Sequence, residues 1–135
     1  MTTETQLVTH TDFVAVPTRD YEAAAKFYGE VLGLPFSKRW GEMPGGEFET
    51  GNLTIAVMQS DAFGIEFAPH RHPIALRVDD VEAARAELES QGIEFGADTM
   101  DSGVCHMAFF TDPDGNALML HHRYAPEGVG PGSAD

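Results

Sequence analysis

Residues 20–36 read DYEAAAKFYGEVLGLPF, and residues 80–95 read DVEAARAELESQGIEF. The Asp, the Glu and the two Ala that open the first segment recur at the same spacing in the second. After a one-residue deletion, the Gly, an aliphatic residue and the final Phe recur as well. Such internal similarity indicates two copies of one supersecondary unit, neither of which can bury its apolar face alone. We therefore expect a ligand to bind between the two copies.

Both copies carry the signals of a strand followed by a helix. Apolar runs at residues 13–16 and 74–78 precede Asp20 and Asp80, and an Asp at this point caps a helix by accepting hydrogen bonds from its free N–H groups. Apolar residues then recur at helical spacing, and a glycine ends each helix. Further strands are predicted at residues 36–41, 46–50 and 53–59 in the first copy and near 94–98, 103–111 and 116–122 in the second.

The sequence thus predicts one α+β domain of two βαβββ modules, whose curved sheets form a cup-shaped mixed sheet with the helices on its outer face. Module 1 covers about residues 12–59, a linker covers 60–71, and module 2 covers about 72–122. The sequence DPDGN at residues 112–116 predicts a tight turn. The glycine- and proline-containing tail, residues 126–135, is predicted to be frayed.

Composition argues against several classes of function. The chain has 22 acidic and 8 basic residues, a net charge of −14, which repels nucleic acid and attracts cationic ligands. The same charge would also simply keep a protein soluble. One cysteine, Cys105, excludes a disulfide framework and a thiolate metal cluster. Neither a membrane-spanning stretch nor a secretion signal is recognisable, so we expect a cytoplasmic protein.

Three motifs resemble signatures of a known family. Residues 20–34 resemble the first-helix signature of the vicinal oxygen chelate superfamily, which includes glyoxalase I, extradiol dioxygenases, fosfomycin-resistance enzymes and bleomycin-resistance proteins. Residues 79–84 and 112–116 resemble the matching signatures of its second module. The resemblance covers roughly residues 12–122 and implies paired βαβββ modules in a cup. Members of this length usually form homodimers, so a homodimer is expected.

The resemblance also implies where a metal would bind, because enzymes of this superfamily hold a divalent ion with His and Glu side chains. Counting back seven residues from each helix-capping Asp gives Phe13 for the first ligand and Pro73 for the third. The second ligand falls at Ile55 or Ala56, and the fourth at Met119. None of these side chains binds such a cation, so we expect neither a metal nor another cofactor.

A displaced metal site is the alternative. His72 lies one residue from the third ligand position, and His121 lies two residues beyond the fourth. A strand slip or bulge could turn His72 inward, with His10, His106 or His122 as a further donor. The protein would then be a metal-dependent glyoxalase- or dioxygenase-type enzyme. The opposing interpretation places His72 in the solvated linker and His121 at a polar strand edge.

With apolar residues at the ligand positions, the chain is similar to the bleomycin-resistance branch, which sequesters a drug without metal or turnover. An apolar cup with few polar groups is typical of small-molecule sites, and Trp40 or Phe48 could stack on a cationic or aromatic ligand, although core packing is the alternative for each. We predict a metal-free binding protein, for instance for an antibiotic, with no catalytic residue. The residues expected to contact the ligand are Phe13, Trp40, Phe48, Ala56, Met58, Phe109, Met119 and His121.

A metal-independent isomerase or lyase is a weaker alternative. Glu47, Glu49 or His121 could transfer protons inside an apolar cup. Nucleophilic catalysis has no support, because Cys105 and the serines lack an activating motif. A phosphate-binding loop is not present in the sequence either.

Overall fold

A computed structural model of the chain describes residues 6–126. Module 1 consists of β1 (Val14–Thr18), α1 (Tyr21–Lys26, continued by the π-helical turn Phe27–Val31), β2 (Phe36–Arg39), β3 (Gly45–Glu49) and β4 (Thr54–Gln59). Module 2 consists of β5 (Ile74–Arg77), α2 (Val81–Ser90), β6 (Met100–Asp101), β7 (Cys105–Thr111) and β8 (Ala117–Arg123). Between the modules, a 3-10 turn, Ser60–Phe63, opens the linker.

The two sheets have the same topology. Their strand orders are β1-β4-β3-β2 and β5-β8-β7-β6. In each sheet the first strand of the module pairs in parallel with the last, and the remaining pairs are antiparallel. This arrangement confirms the α+β fold with two βαβββ modules that the repeat predicts.

The two helices begin where the repeat predicts. The Asp20 side chain accepts a hydrogen bond from the N–H of Ala23 at 3.3 Å, and the Asp80 side chain accepts one from the N–H of Ala83 at 3.0 Å. Each bond satisfies a backbone donor that the helix leaves free. The first helix differs from the prediction in its last part, Phe27–Val31, where the turns widen to the π form.

The hydrophobic core extends through both modules. It includes Val16, Phe48 and Ile55 from the first sheet and Phe110 and Leu118 from the second. These residues alternate along their strands with residues outside the core, as the two-residue period of a strand requires. One face of each sheet therefore belongs to the core beneath the helices, and the alternate residues of each strand lie on the other face.

The second strand of module 2 lies later than the sequence predicts. The sequence predicts a strand near residues 94–98, but the structure has the two-residue β6 at Met100–Asp101 instead. Phe95 packs against the core, with its ring centroid 5.1 Å from that of Phe110, because packing there removes more apolar surface from water than an exposed edge strand would. A cavity of about 560 Å³ is lined by residues 94–96 together with residues of β7, of β8 and of the segment before β5.

The predicted turn at residues 112–116 forms and connects the two modules. The carboxylate of Asp112 accepts hydrogen bonds from the Tyr28 hydroxyl at 2.6 Å and from the Asn116 side-chain amide at 2.8 Å. The same amide also donates to the Pro17 carbonyl at 2.8 Å. Burial of Tyr28, together with the neighbouring Asp112 charge, raises the pKa of Tyr28 far above its usual range. These bonds fix the turn to β1 and α1.

Some expectations concern residues that the structure does not describe. The tail expected to be frayed, residues 126–135, lies outside the described residues except for Pro126. Within residues 6–126, the helices are all too short or too polar to cross a membrane.

Candidate functional site

The sheet of module 1 has a face that α1 does not cover. Ile55 and Phe48 belong to the core beneath α1, so their strand neighbours project to the opposite side. The strand register places Ala15, Ala56 and Glu47 next to one another there. We call this side, with the neighbouring Trp40 and Met58, the open face of module 1.

A cluster of aromatic side chains surrounds Trp40 on this face. The Trp40 indole N–H donates a hydrogen bond to Oε2 of Glu47 at 2.8 Å. The rings of Phe13 and Phe63 lie 5.8 Å and 5.9 Å from the Trp40 ring, measured between centroids. We call Phe13, Trp40, Glu47 and Phe63 the tryptophan cluster.

A glycine makes room for the tryptophan cluster. A Cβ atom at Gly45 would lie 2.8 Å from Cε3 of Trp40, which is closer than side chains approach one another. Gly45 therefore allows the indole to lie against the backbone of β3. Sequence reasoning identified Trp40 as a candidate contact but missed both Phe63 and the role of Gly45.

The predicted contacts of module 1 differ in exposure. Phe13 is 44% exposed, and Trp40 and Met58 are partly exposed. Ala56 lies on the open face but has no exposed surface. Phe48, in contrast, is 2% exposed and packs in the core against Tyr28. The structure therefore separates Phe48 from the open face, because it is paired with Ile55 and projects toward α1.

The open face of module 2 brings the remaining predicted contacts together. Phe109 and Met119 are direct cross-strand partners, and His121 is the partner of Met107 on the same face. Arg77 lies beside His121 on the other neighbouring strand. All but Arg77, which is exposed, are partly buried. We call these five residues the open face of module 2, and it is mainly apolar with a basic end.

The residues present do not fit a resident metal ion. Of the two candidates for the second ligand position, Ala56 projects to the open face and Ile55 to the core. Phe13, Ala56 and Pro73 have no side-chain donor atom, and the thioether of Met119 suits soft ions only. In the part of the chain that the structure describes, no three His, Cys, Asp or Glu side chains are grouped so that they could hold a metal ion.

The two histidines of the alternative metal site, His72 and His121, lie in different surroundings. His72 is exposed and precedes β5, outside the paired strand. His121 is the neighbour of Arg77, whose positive charge disfavours a bound cation. This geometry gives no support to a displaced metal site.

A second group of ionisable residues lies on the opposite side of the module 2 sheet. The N–H of Gly103 and the hydroxyl of Tyr124 both donate to Asp101, and these bonds lower the pKa of that carboxyl. The His106 ring lies 4.7 Å from the Tyr124 ring and 3.5 Å, atom to atom, from Asp101. Because His106 alternates with the open-face residues of β7, this group is not part of the candidate site.

Comparisons with known proteins agree with one another on the fold. The sequence pattern of the Glyoxalase/Bleomycin resistance protein/Dioxygenase superfamily matches residues 10–120. The chain is 26% identical over 121 residues to the uncharacterized protein YaeR of Escherichia coli (strain K12). This alignment covers 82% of this chain and 93% of YaeR.

Two solved structures of different function share the fold. TnmS3, an antibiotic binding protein from Streptomyces sp. CB03234, superposes with a TM-score of 0.73 at 23% identity, covering 87% of this chain and 98% of TnmS3. Lactoylglutathione lyase from Agrobacterium tumefaciens superposes with a TM-score of 0.71 at 17% identity, covering 84% and 93%. At these identities the two likenesses establish the fold alone, since one relative binds a ligand and the other is an enzyme.

Proposed function

The chain belongs to the Glyoxalase/Bleomycin resistance protein/Dioxygenase superfamily, and we propose that within it the protein binds a small organic molecule without a metal ion. The proposal is supported by the apolar character of the side chains at the four positions where the metal-dependent enzymes of the superfamily place their ligands. The resemblance implies that these positions fall at Phe13, Ala56, Pro73 and Met119, and these residues offer apolar surface where a metal centre would need imidazole or carboxylate.

The lining of the open faces supports binding rather than catalysis. Trp40 and Phe109 present aromatic surface, which contacts planar ligands well. Met58 and Met119 add flexible, polarizable side chains that adapt to ligands of different shape. TnmS3 is an antibiotic binding protein with this fold, so sequestration of an antibiotic or a similar aromatic compound is the specific activity that we propose.

We further propose that the protein works as a homodimer in the cytoplasm. Phe36 and Met100 are 56% and 50% exposed, and a second copy that covered such side chains would remove apolar surface from water. A second copy of the chain is the occupant expected from the family. Sedimentation equilibrium would measure the mass, and a monomer at micromolar concentration would contradict the dimer.

Metal analysis of protein purified without a histidine tag tests the central claim. We expect less than stoichiometric Ni, Zn, Mn and Fe, and the same result for a His72→Ala/His121→Ala double variant. A His106→Ala variant is the matched control, because His106 lies on the opposite face of the sheet. A stoichiometric metal that is lost in the double variant but retained in the control would contradict the proposal.

Binding itself is tested by thermal shift and calorimetry with a panel of aromatic and cationic antibiotics. We expect at least one compound to raise the midpoint of unfolding in a saturable manner, because a ligand that binds only the folded state stabilises it. The Met119→Lys variant, which places a charge on the open face of module 2, should weaken that binding. A panel with no saturable binder would remove the support for an antibiotic ligand.

A further inference from the structure

We infer that the tryptophan cluster recognises the charged centre of an organic cation, such as a quaternary or tertiary ammonium group. This inference rests on the proposed function and specifies the class of ligand. In the bound complex the cationic centre would lie beside the Glu47 carboxylate and against the rings of Trp40 and Phe13.

The first argument is the state of the Glu47 carboxylate. One oxygen, Oε2, accepts the indole N–H of Trp40 at 2.8 Å. An indole is a neutral donor, so this bond orients the carboxylate without cancelling its charge. Within residues 6–126 the other oxygen, Oε1, accepts no hydrogen bond and is not buried. It is therefore available to a ligand.

The second argument is that Glu47 lacks a basic partner in the described part of the chain. Its cross-strand neighbour is Lys38, but none of the ion pairs among residues 6–126 includes either residue. Lys38 is exposed, and Glu47 is partly buried beside Ala15 and Ala56. Water solvates a partly buried carboxylate with apolar neighbours only poorly, so a cation bound beside it interacts with it more strongly than it would in water.

The third argument is the arrangement of the rings. Phe13 is tilted by 58° and Phe63 by 83° relative to Trp40, so the three rings present surfaces in different directions around one tryptophan. The face of an aromatic ring attracts a cation within about 6 Å of its centroid, and tryptophan does so most strongly. Phe13, which is 44% exposed, leaves the cluster open on one side.

Charge selects the cation over other ligands. An anion would be repelled both by Glu47 and by the net charge of −14. A neutral aromatic compound would cover the Glu47 carboxylate without replacing the water that solvates it. An ammonium group carrying carbon substituents satisfies the carboxylate and the rings together.

The single tryptophan allows a direct test, because Trp40 is the only Trp of the chain and its fluorescence therefore reports this cluster. Choline chloride and its uncharged isostere, 3,3-dimethylbutan-1-ol, are titrated at constant ionic strength with NaCl. We expect a saturable fluorescence change with choline and binding about tenfold weaker, or none, with the neutral alcohol.

Two matched variants locate the effect. Glu47→Gln keeps the shape of the side chain and removes its charge, and we expect it to reduce choline affinity about tenfold while leaving the response to the alcohol unchanged. Glu49→Gln is the control, because Glu49 lies two residues away on the same strand and already accepts a hydrogen bond from Thr54. Circular dichroism and thermal unfolding confirm that both variants are folded.

Two results would overturn the inference while leaving the proposed function intact. One is equal binding of choline and the alcohol with no effect of Glu47→Gln. The other is no response to choline in a protein that binds an uncharged member of the antibiotic panel. If the panel gives no binder and choline still binds at Glu47, the proposed antibiotic ligand fails but the cation site remains.

Discussion

Replacing Tyr28 by Phe would remove one hydroxyl group from the contact that joins the two modules. Tyr28 has no exposed surface, and Asp112 is 4% exposed. The hydroxyl donates to Oδ2 of Asp112 at 2.6 Å. The rest of the ring stays in place in the variant, since phenylalanine fills nearly the same volume.

The expected loss follows from the partners that remain. Asp112 still accepts the side-chain amide of Asn116 and the backbone N–H groups of Asp114 and Asn116. The carboxylate is therefore not left without donors, and the loss is that of one hydrogen bond to a charged group, about 2 kcal/mol. For a domain of this length, that loss lowers the midpoint of thermal unfolding by roughly 6–10 °C.

Urea unfolding followed by circular dichroism measures the difference in the free energy of unfolding. Tyr124→Phe is the matched control, because its hydroxyl also donates to a carboxylate, Asp101 at 2.8 Å, but the side chain is 46% exposed. We expect little change in this control, since water replaces the lost bond. Equal losses in the two variants, or a loss below about 0.5 kcal/mol for Tyr28→Phe, would refute the reasoning.

Two further predictions concern Trp40 and pH. Gly45→Ala should destabilise the protein by about 1–3 kcal/mol and alter Trp40 fluorescence, because its Cβ would lie 2.8 Å from the indole. Gly96→Ala is the control, because no atom beyond its chain neighbours would lie within 4 Å of the new Cβ. This variant should stay within about 0.5 kcal/mol of the parent in urea unfolding. Because burial and Asp112 raise the pKa of Tyr28 in the folded state, its contribution to stability is fully present below about pH 10 and is lost as pH rises toward the folded pKa. Above about pH 10, urea titrations should show the free energy of unfolding falling more steeply in the parent than in Tyr28→Phe, by up to about 1.4 kcal/mol per pH unit; parallel profiles would contradict the assignment.

The features that the sequence predicted correctly depend on local chemistry. Asp20 and Asp80 cap their helices through atoms three residues away, and a repeated cap followed by a repeated glycine can be read without knowing the rest of the fold. The two βαβββ modules follow from this repeat. The second strand of module 2 lies later than predicted because Phe95 packs in the core against Phe110, and that contact has no local signal in the sequence.

The candidate site was predictable only in part, for the same reason. Counting from the two capping Asp residues predicts Phe13 and Pro73 at two of the metal-ligand positions, and this assignment stays a prediction. The two sides of β3 could also have been assigned, because the alternation Glu47-Phe48-Glu49 favours Phe48 as the residue that faces the core. Phe63, in contrast, contacts Trp40 from the linker. A linker has no regular spacing of apolar residues from which its contacts with a sheet could be predicted.

The turn at residues 112–116 also has a consequence for the order in which the chain folds. Its bonds join residues far apart in sequence, 84 positions between Tyr28 and Asp112 and 99 between Pro17 and Asn116. Closing such long loops is slow, and pulsed hydrogen exchange during refolding should show the backbone N–H of Arg19, which donates to Oδ1 of Asp114, among the last amides to become protected. During synthesis from the N-terminus, the first helix and its sheet exist well before Asp112 is added. Until then the phenol of Tyr28 has no carboxylate to bond, so the first half of the protein completes its interior only when nearly the whole chain has been made.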